Sequence, residues 1–455
     1  MRSHSATILT LATIPLIVLL TYWKASSAYF LEDDFQWLVS AWHFRFSNLV
    51  DFSRYGHFYR PVIEIYFYLC VKAFGQSPAL FHWASILLHA VNGLVVYGLT
   101  RSISRDSRLA FFAAMSFVLL PGYVDAVAWV GAIAEPLSTL FFCLTLWSFL
   151  QYLNSRRYVW QLTAMGTFAL ALLTHESAAT LIVMMALADW AASARHPFHD
   201  GELQRASPEP LRRRAGQLKT ALVFRRGSLE RIAVYAPYLA LLAGYLMIDV
   251  GVSNRNYVVQ QGYYRLGPHA LRNILDYIVS LYVGKKVLMS YLGIGTALVV
   301  FLAKGSRRVR FATLWMLVTL LPFAFFTWGN TSRYLYLPAI GFSMLLGEGM
   351  LVLDRLAART LPPHWRTAVV SAIFAAIVIR FAVFTTRGVD DFVRRTEPYR
   401  QYIDGFRAAH PRLSPGVVLR VPAPADARLQ HMYLEPLVQW EYADPSIRLQ
   451  IGPGS

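Results

Sequence analysis

Long apolar runs alternate with short polar breaks from residue 6 to residue 384. Read by hydropathy, they predict eleven membrane-spanning helices, at 6–23, 78–100, 109–121, 132–153, 158–174, 176–192, 231–249, 272–303, 309–327, 336–353 and 367–384. Several approach or exceed the roughly 20 residues a helix needs to cross a bilayer. The 272–303 run is too long for one straight crossing, so it is expected to begin with an interfacial piece. Residues 61–74 are apolar but short and read as a juxtamembrane helix in the first outer loop. No alternating ten-residue strands of the β-barrel kind occur. The predicted fold class is an all-α polytopic membrane protein.

The breaks between the runs give the orientation. With the N-terminus inside, the inner loops carry Arg101, Arg105, Arg108, Arg156, Arg157, Lys304, Arg307, Arg308, Arg310, Arg355, Arg359 and Arg366, and the long basic loop 193–230 adds Arg212, Arg213 and Arg214. The outer turns at 121–131 and 174–176 carry no Lys or Arg. That asymmetry is the positive-inside rule. It places the N-terminus in the cytoplasm. The stretch around Asp33 and the tail 385–455 then lie on the extracytoplasmic face. The expected organisation is a transmembrane domain over 1–384, with its first outer loop at 24–77, followed by a small cap over 385–455.

Composition agrees. The chain has 455 residues, 56% hydrophobic and 15% charged, whereas soluble proteins carry about 25% charged residues. The net charge of +17 sits in the inner loops, which argues against a nucleic-acid partner and for a bilayer. Basic loop 193–230 reads as a solvated topogenic loop, with contact to anionic lipid as the other reading. Cys70 and Cys143 lie in apolar segments and form neither a disulfide framework nor a metal signature. No A-x-A-like site follows the first run, so it reads as a retained helix rather than a signal peptide.

The unusual polar residues gather on the outer face: Glu32, Asp33, Asp34, His57 and Arg60, then Asp125, Glu135, His175 and Glu176, then Arg255, Asn256, Arg265, Lys285 and Lys286, and last Asn330, Arg333 and Tyr334. Ionisable residues next to lipid are costly and are seldom kept there without a role. Among apolar neighbours, Asp33 or Asp34 gains proton affinity suited to a general base. Adjacent acids on a helix point about 100° apart, so one can face a reaction while the other braces it or a metal. Acidic residues in a first helical turn would explain the pair without any function. Arg60 and Arg333 each offer a guanidinium fork to a phosphate, or anchor a helix at the headgroups. His175-Glu176 is either part of the site or a turn that needs polar residues.

Four motifs resemble those of the GT-C-fold glycosyltransferases, integral-membrane enzymes that use polyprenyl-phosphate sugars. Asp33-Asp34 resembles the acidic pair of their first outer loop. His57–Pro61 (HFYRP) resembles the H-x-x-K/R-P segment of the aminoarabinose transferase and protein O-mannosyltransferase branch. LLPGYVDAVAWVGAIAEPLSTLFF (119–142) and TSRYLYLPAIGFS (331–343) resemble segments of the tetratricopeptide-bearing O-mannosyltransferases. The chain departs from these at Leu120, where relatives carry His, at Asp125, where they carry Glu, and at His175, where they often carry Lys.

The resemblance implies an inverting transfer of a sugar from a polyprenyl-phosphate donor, such as undecaprenyl phosphate, to a hydroxyl of a glycan, lipid or protein acceptor. It implies Asp33 as base and Asp34 beside it. Arg60, Arg333, Tyr334 and His57 are then expected on the donor phosphate, and Asp125, Glu135, His175 and Glu176 in a secondary acidic or acceptor role. Mg²⁺ or Mn²⁺ on Asp34 and Asp125 fits such chemistry. The compact, repeat-free chain points to a bacterial inner membrane, with the site on the periplasmic side. A transporter or flippase would show internal repeats and mid-membrane polar residues. An O-antigen polymerase or ligase, or an inert scaffold with the same fold, are the other readings.

Overall fold

The structure, a computed structural model, describes residues 2–52, 58–192, 233–252, 256–282, 284, 286–327 and 331–452. Every apolar run forms helix in its described part. Helix α1 (Arg2–Tyr22) leads through a 3-10 turn into the long loop expected as the first outer one. That loop holds two short helices, α2 (Asp34–Trp42) and α3 (Pro61–Phe74). Pro61 opens α3 because a first helical position needs no N–H donor.

Next come α4 (Pro78–Ser104) and α5 (Ser107–Leu119), then a short α6 (Val124–Ala128), α7 (Ala134–Ser155), α8 (Tyr158–Leu172) and α9 (Leu181–Ala192). Helix α10 (Ala233–Val252) and a one-turn α11 (Tyr257–Gln260) follow. The long run 272–303 is split into two helices, α12 (His269–Tyr282) and the more apolar α13 (Leu288–Lys304). Helices α14 (Arg307–Ala324), α15 (Pro338–Ala357) and α16 (Pro363–Ala409) complete the bundle.

Among the described residues, four helices are long and apolar enough to cross a membrane by length and composition, and five if the bent pair α5 and 121–128 counts as one span. The other expected spans are helices that are shorter or less apolar. The core lies where α4, α5, α7, α14 and α15 pack on one another. At Gly341 a Cβ would meet the Ala312 carbonyl oxygen at 2.5 Å, so α15 approaches α14 through a bare backbone, as small residues allow in membrane bundles.

Helix α16 has 47 residues, or about 70 Å at 1.5 Å per residue. That is over twice the thickness of a bilayer's hydrocarbon core. It runs unbroken through the boundary expected at residue 384, so the cap is not a separate unit joined by a linker. Its C-terminal half carries the remaining tail, which corrects the all-α reading. Strands β1 (Val418–Pro422) and β2 (Arg448–Gly452) form a two-stranded parallel sheet, with α17 (His431–Glu441) between them in sequence. A crossover of this kind needs a helix, and α17 supplies it.

The cap grips the first outer loop. Thr396 Oγ1 accepts from the Tyr29 amide at 3.1 Å, Arg400 donates to the Ser27 carbonyl at 3.0 Å, and the Tyr29 hydroxyl donates to Glu441. Trp440 stacks on Trp42 at 4.9 Å and meets Phe30 edge-on. The acidic loop is thus held between the bundle and the cap.

Candidate active site at the outer loops

The turn Leu31–Asp34 has little freedom. Asp34 Oδ2 accepts from the Leu31 amide at 2.8 Å, and its Oδ1 accepts from the Gly131 amide. The Leu31 carbonyl in turn accepts from Trp129 Nε1 at 3.2 Å and from the Asp34 amide at 3.1 Å. Glu32 has φ +50°, a left-handed backbone that is unfavourable for a side chain with a Cβ. Both carboxylate oxygens of Asp34, which is fully buried, are therefore spent on backbone amides. Asp34 is a brace.

Asp33 differs. Its Oδ1 is buried with no hydrogen-bond partner among the described residues. Burial pushes its carboxyl up to about 6, against the lowering field of Arg333. Burial likewise raises Glu32, with Arg395 and Arg333 opposing, and raises Asp34, with Asp33 adding to the effect. A buried carboxylate oxygen free of hydrogen bonds, with its proton affinity raised, suits a proton acceptor.

Arg333 lies in a 3-10 turn, Ser332–Leu335, at the mouth of α15. Its guanidinium sits over Trp129 at 4.9 Å and Tyr334 at 5.4 Å. Tyr334 stacks on Phe323 at 4.3 Å. Among the described residues Arg333 forms no ion pair within 4.0 Å, although Asp33 and Glu135 lie in its field. The turn is fixed from below. Tyr336 Oη lies 2.7 Å from His89 Nδ1 and accepts from Asn92 at 3.0 Å, while His82 Nδ1 lies 2.9 Å from the Ala128 carbonyl. All three polar residues are buried on α4. A run of His, His and Asn at 82, 89 and 92 inside an apolar helix is the signal that could have marked them as supports.

Arg60, expected on the phosphate, is engaged elsewhere. It binds Glu176 through both ends of its fork, Nε to Oε2 at 3.0 Å and Nη2 to Oε1 at 2.7 Å. His175 Nδ1 accepts from the Ser177 amide at 3.2 Å, and its Nε2 lies 3.3 Å from Glu135 Oε1. The same Nε2 also lies 3.2 Å from Arg60 Nη2. Arg60, Glu135, His175 and Glu176 thus form one largely buried polar wall. Arg60→Met is expected to destabilise the protein by about 3–5 kcal/mol, because Glu176 loses its partner in a low-dielectric place. Adding Glu176→Gln should recover most of that loss. Thermal unfolding of the two variants checks it.

Asp125 does not join Asp34. It pairs with Arg395 of α16, and Ser332 Oγ donates to its Oδ2 at 3.0 Å. Asp34 has no free oxygen for a cation, and Asp125 is neutralised. Among the described residues no three His, Cys, Asp or Glu side chains form a metal-holding group. These two residues do not fit Mg²⁺ or Mn²⁺.

His57, Arg255, Lys285, Asn330 and the loop 193–230 lie outside the described residues. Asn256 caps α11 through Val258, Arg265 is exposed, and Lys286 lies 3.9 Å from Asp276. The residues that reading by hydropathy set aside are Gly131, Trp129 and Arg395. Gly131 matters most: a Cβ there would stand 2.7 Å from Asp33 Oδ1 and 2.8 Å from Asp34 Oδ1.

Residues 61–200 match the family model for dolichyl-phosphate-mannose-protein mannosyltransferases. Protein O-mannosyl-transferase TMTC1 of Mus musculus is 31% identical over 121 residues, which is 26% of this chain and 12% of that protein. TMTC2 of Homo sapiens is 29% identical over 140 residues, 29% of this chain and 16% of that protein. The chain matches well under two thirds of the length of these relatives. Among solved structures, ArnT from Cupriavidus metallidurans bound to undecaprenyl phosphate superposes with a TM-score of 0.54 at 13% identity, covering 98% of this chain and 86% of ArnT. The oligosaccharyltransferase of Archaeoglobus fulgidus, in complex with Zn and sulfate, gives 0.51 at 14% identity, covering 98% and 62%.

Proposed function

We propose that this chain, which has the GT-C fold of integral-membrane glycosyltransferases, moves a sugar from a polyprenyl-phosphate donor to an acceptor hydroxyl at the outer face of a membrane. The observation that carries the reading is a buried, unpartnered Asp33 oxygen lying in the field of Arg333, a cation without an ion-pair partner among the described residues. The likeness to ArnT, solved with undecaprenyl phosphate, supports a lipid-linked donor. The likeness to protein O-mannosyl-transferases supports a hexose and a hydroxyl acceptor. A bacterial inner membrane, with the site on its periplasmic side, is the setting that suits this donor.

In the proposed step the acceptor oxygen attacks the anomeric carbon and its proton passes to Asp33. The bond from that carbon to the phosphate oxygen breaks on the opposite face, so configuration inverts. Polyprenyl phosphate leaves with the bonding pair, and Arg333 offsets the growing charge with Tyr334 beside it. Asp34 moves no proton and holds the turn from which Asp33 reaches the acceptor. Arg60, tied to Glu176, steadies the wall behind the phosphate.

The test is release of free polyprenyl phosphate from a panel of polyprenyl-phosphate sugars by the protein in liposomes. One donor should be consumed. Arg333→Ala should lower that rate by about 10²–10³-fold, the range seen when one donor to a developing oxyanion is removed. Wild-type rates in the variant would overturn the phosphate assignment.

A further inference from the structure

Arg395 lies on the outer half of α16, far in sequence from every motif discussed above. It pairs with Oδ1 of Asp125, the same carboxylate whose Oδ2 accepts from Ser332. Ser332 immediately precedes Arg333 in the 3-10 turn. The chain Arg395, Asp125, Ser332, Arg333 therefore links the long C-terminal helix to the cation assigned to the donor phosphate.

The surroundings of Arg333 are acidic. Glu32 and Asp33 approach it from the first outer loop and Glu135 from α7, with Asp34 braced beside Asp33. The nearby cations are Arg60, held by Glu176, and Arg395. Tyr399 of α16 and Gln430 of the cap lie beside Glu32. In such a place Arg333 lacks an ion-pair partner only while each neighbouring carboxylate is occupied or held away. Asp125 would be repelled by Glu32 if released. It is tethered one residue from Arg333 by the Ser332 hydrogen bond, so its carboxylate would swing to that guanidinium.

We infer that Arg395 is a positioning residue that sequesters Asp125 and so keeps Arg333 open to the donor phosphate. This rests on the reading of Arg333 given above. The Arg395–Asp125 pair is half-exposed, with side chains 48% and 25% accessible. Exposed pairs of this kind contribute little to stability, so the role is one of charge allocation.

The test is binding of undecaprenyl phosphate to the protein in nanodiscs, with thermal midpoints measured in parallel. Arg395→Gln is expected to weaken binding about tenfold, because the freed carboxylate competes with the phosphate for a charge-assisted contact, with little change in midpoint. Arg395→Lys should bind within about threefold of wild type, since a cation still faces Asp125. The decisive variant is the double, Asp125→Asn with Arg395→Gln. The asparagine amide still accepts from Ser332 and carries no charge, so binding should return to about the wild-type level, a non-additivity that mere structural damage does not produce. The inference is overturned if Arg395→Gln binds as wild type, or if the double variant binds no better than the single one. If Arg333→Ala weakens binding while Arg395→Gln does not, this inference alone falls. If wild type shows no binding, or if Arg333→Ala leaves it unchanged, the donor assignment falls and takes this inference with it.

Discussion

Asp33→Asn is expected to lower sugar transfer by about 10²–10⁴-fold, the usual contribution of a positioned general base, while donor binding stays within about twofold. Asparagine fills the same space but cannot accept the proton. Wild-type turnover in a folded Asp33→Asn protein would remove Asp33 as base. The pH dependence follows from the same group. Its carboxyl, raised to about 6 by burial, must be ionised to act. Transfer should therefore be flat above pH 7 and fall about tenfold per unit as pH drops below 6.

The stability sign is opposite to that of an ordinary paired acid. Between 3.8 and about 6 the folded state binds more protons at Asp33 than the unfolded chain. Stability from this group is full below 3.8 and is lost as pH rises through 6. Asp33→Asn should hence melt higher than wild type at pH 8 and equally at pH 3.5, the reverse of what a stabilising residue would give.

Gly131→Ala is expected to cost at least about 10²-fold in turnover, a large effect for one methyl group, since small misplacements of reacting groups carry penalties of this size. The new Cβ would lie 2.7 Å from Asp33 Oδ1 and 2.8 Å from Asp34 Oδ1, closer than non-bonded atoms approach. Asp34 cannot retreat without giving up the Leu31 or Gly131 amide, so the whole acidic turn shifts. Gly131 is needed for close approach and not for an unusual φ. Its alanine variant should retain affinity for undecaprenyl phosphate, because Arg333 is not in its path. A variant that turns over at the wild-type rate would show that the turn relaxes, and that the contact has no bearing on catalysis.

Much of this was legible in the chain. Hydropathy alone placed helices in every described apolar segment and set 61–74 apart as a short helix, because a bilayer imposes length and apolarity on whatever crosses it. The split of 272–303 into α12 and α13 was likewise expected from length. The small parallel sheet of the cap was not, since two five-residue strands far apart in sequence carry little periodic signal. Within the site, the sequence singled out Asp33, Asp34, Arg60, Asp125, Glu135, His175, Glu176, Arg333 and Tyr334. It could not tell which of them had spare bonding capacity.

That division has a physical basis. Which segments enter lipid depends on residues adjacent in the chain, so sequence by itself determined the helical architecture and the acidic loop after α1. What each polar group does depends on partners up to hundreds of residues away. Only the tertiary structure showed Asp34 committed to two backbone amides, Arg60 to Glu176 and Asp125 to Arg395. By the same token it left Asp33 Oδ1 without a hydrogen-bond partner and Arg333 without an ion pair among the described residues. Charge is written in the sequence, but its availability is set by the pairing that folding imposes.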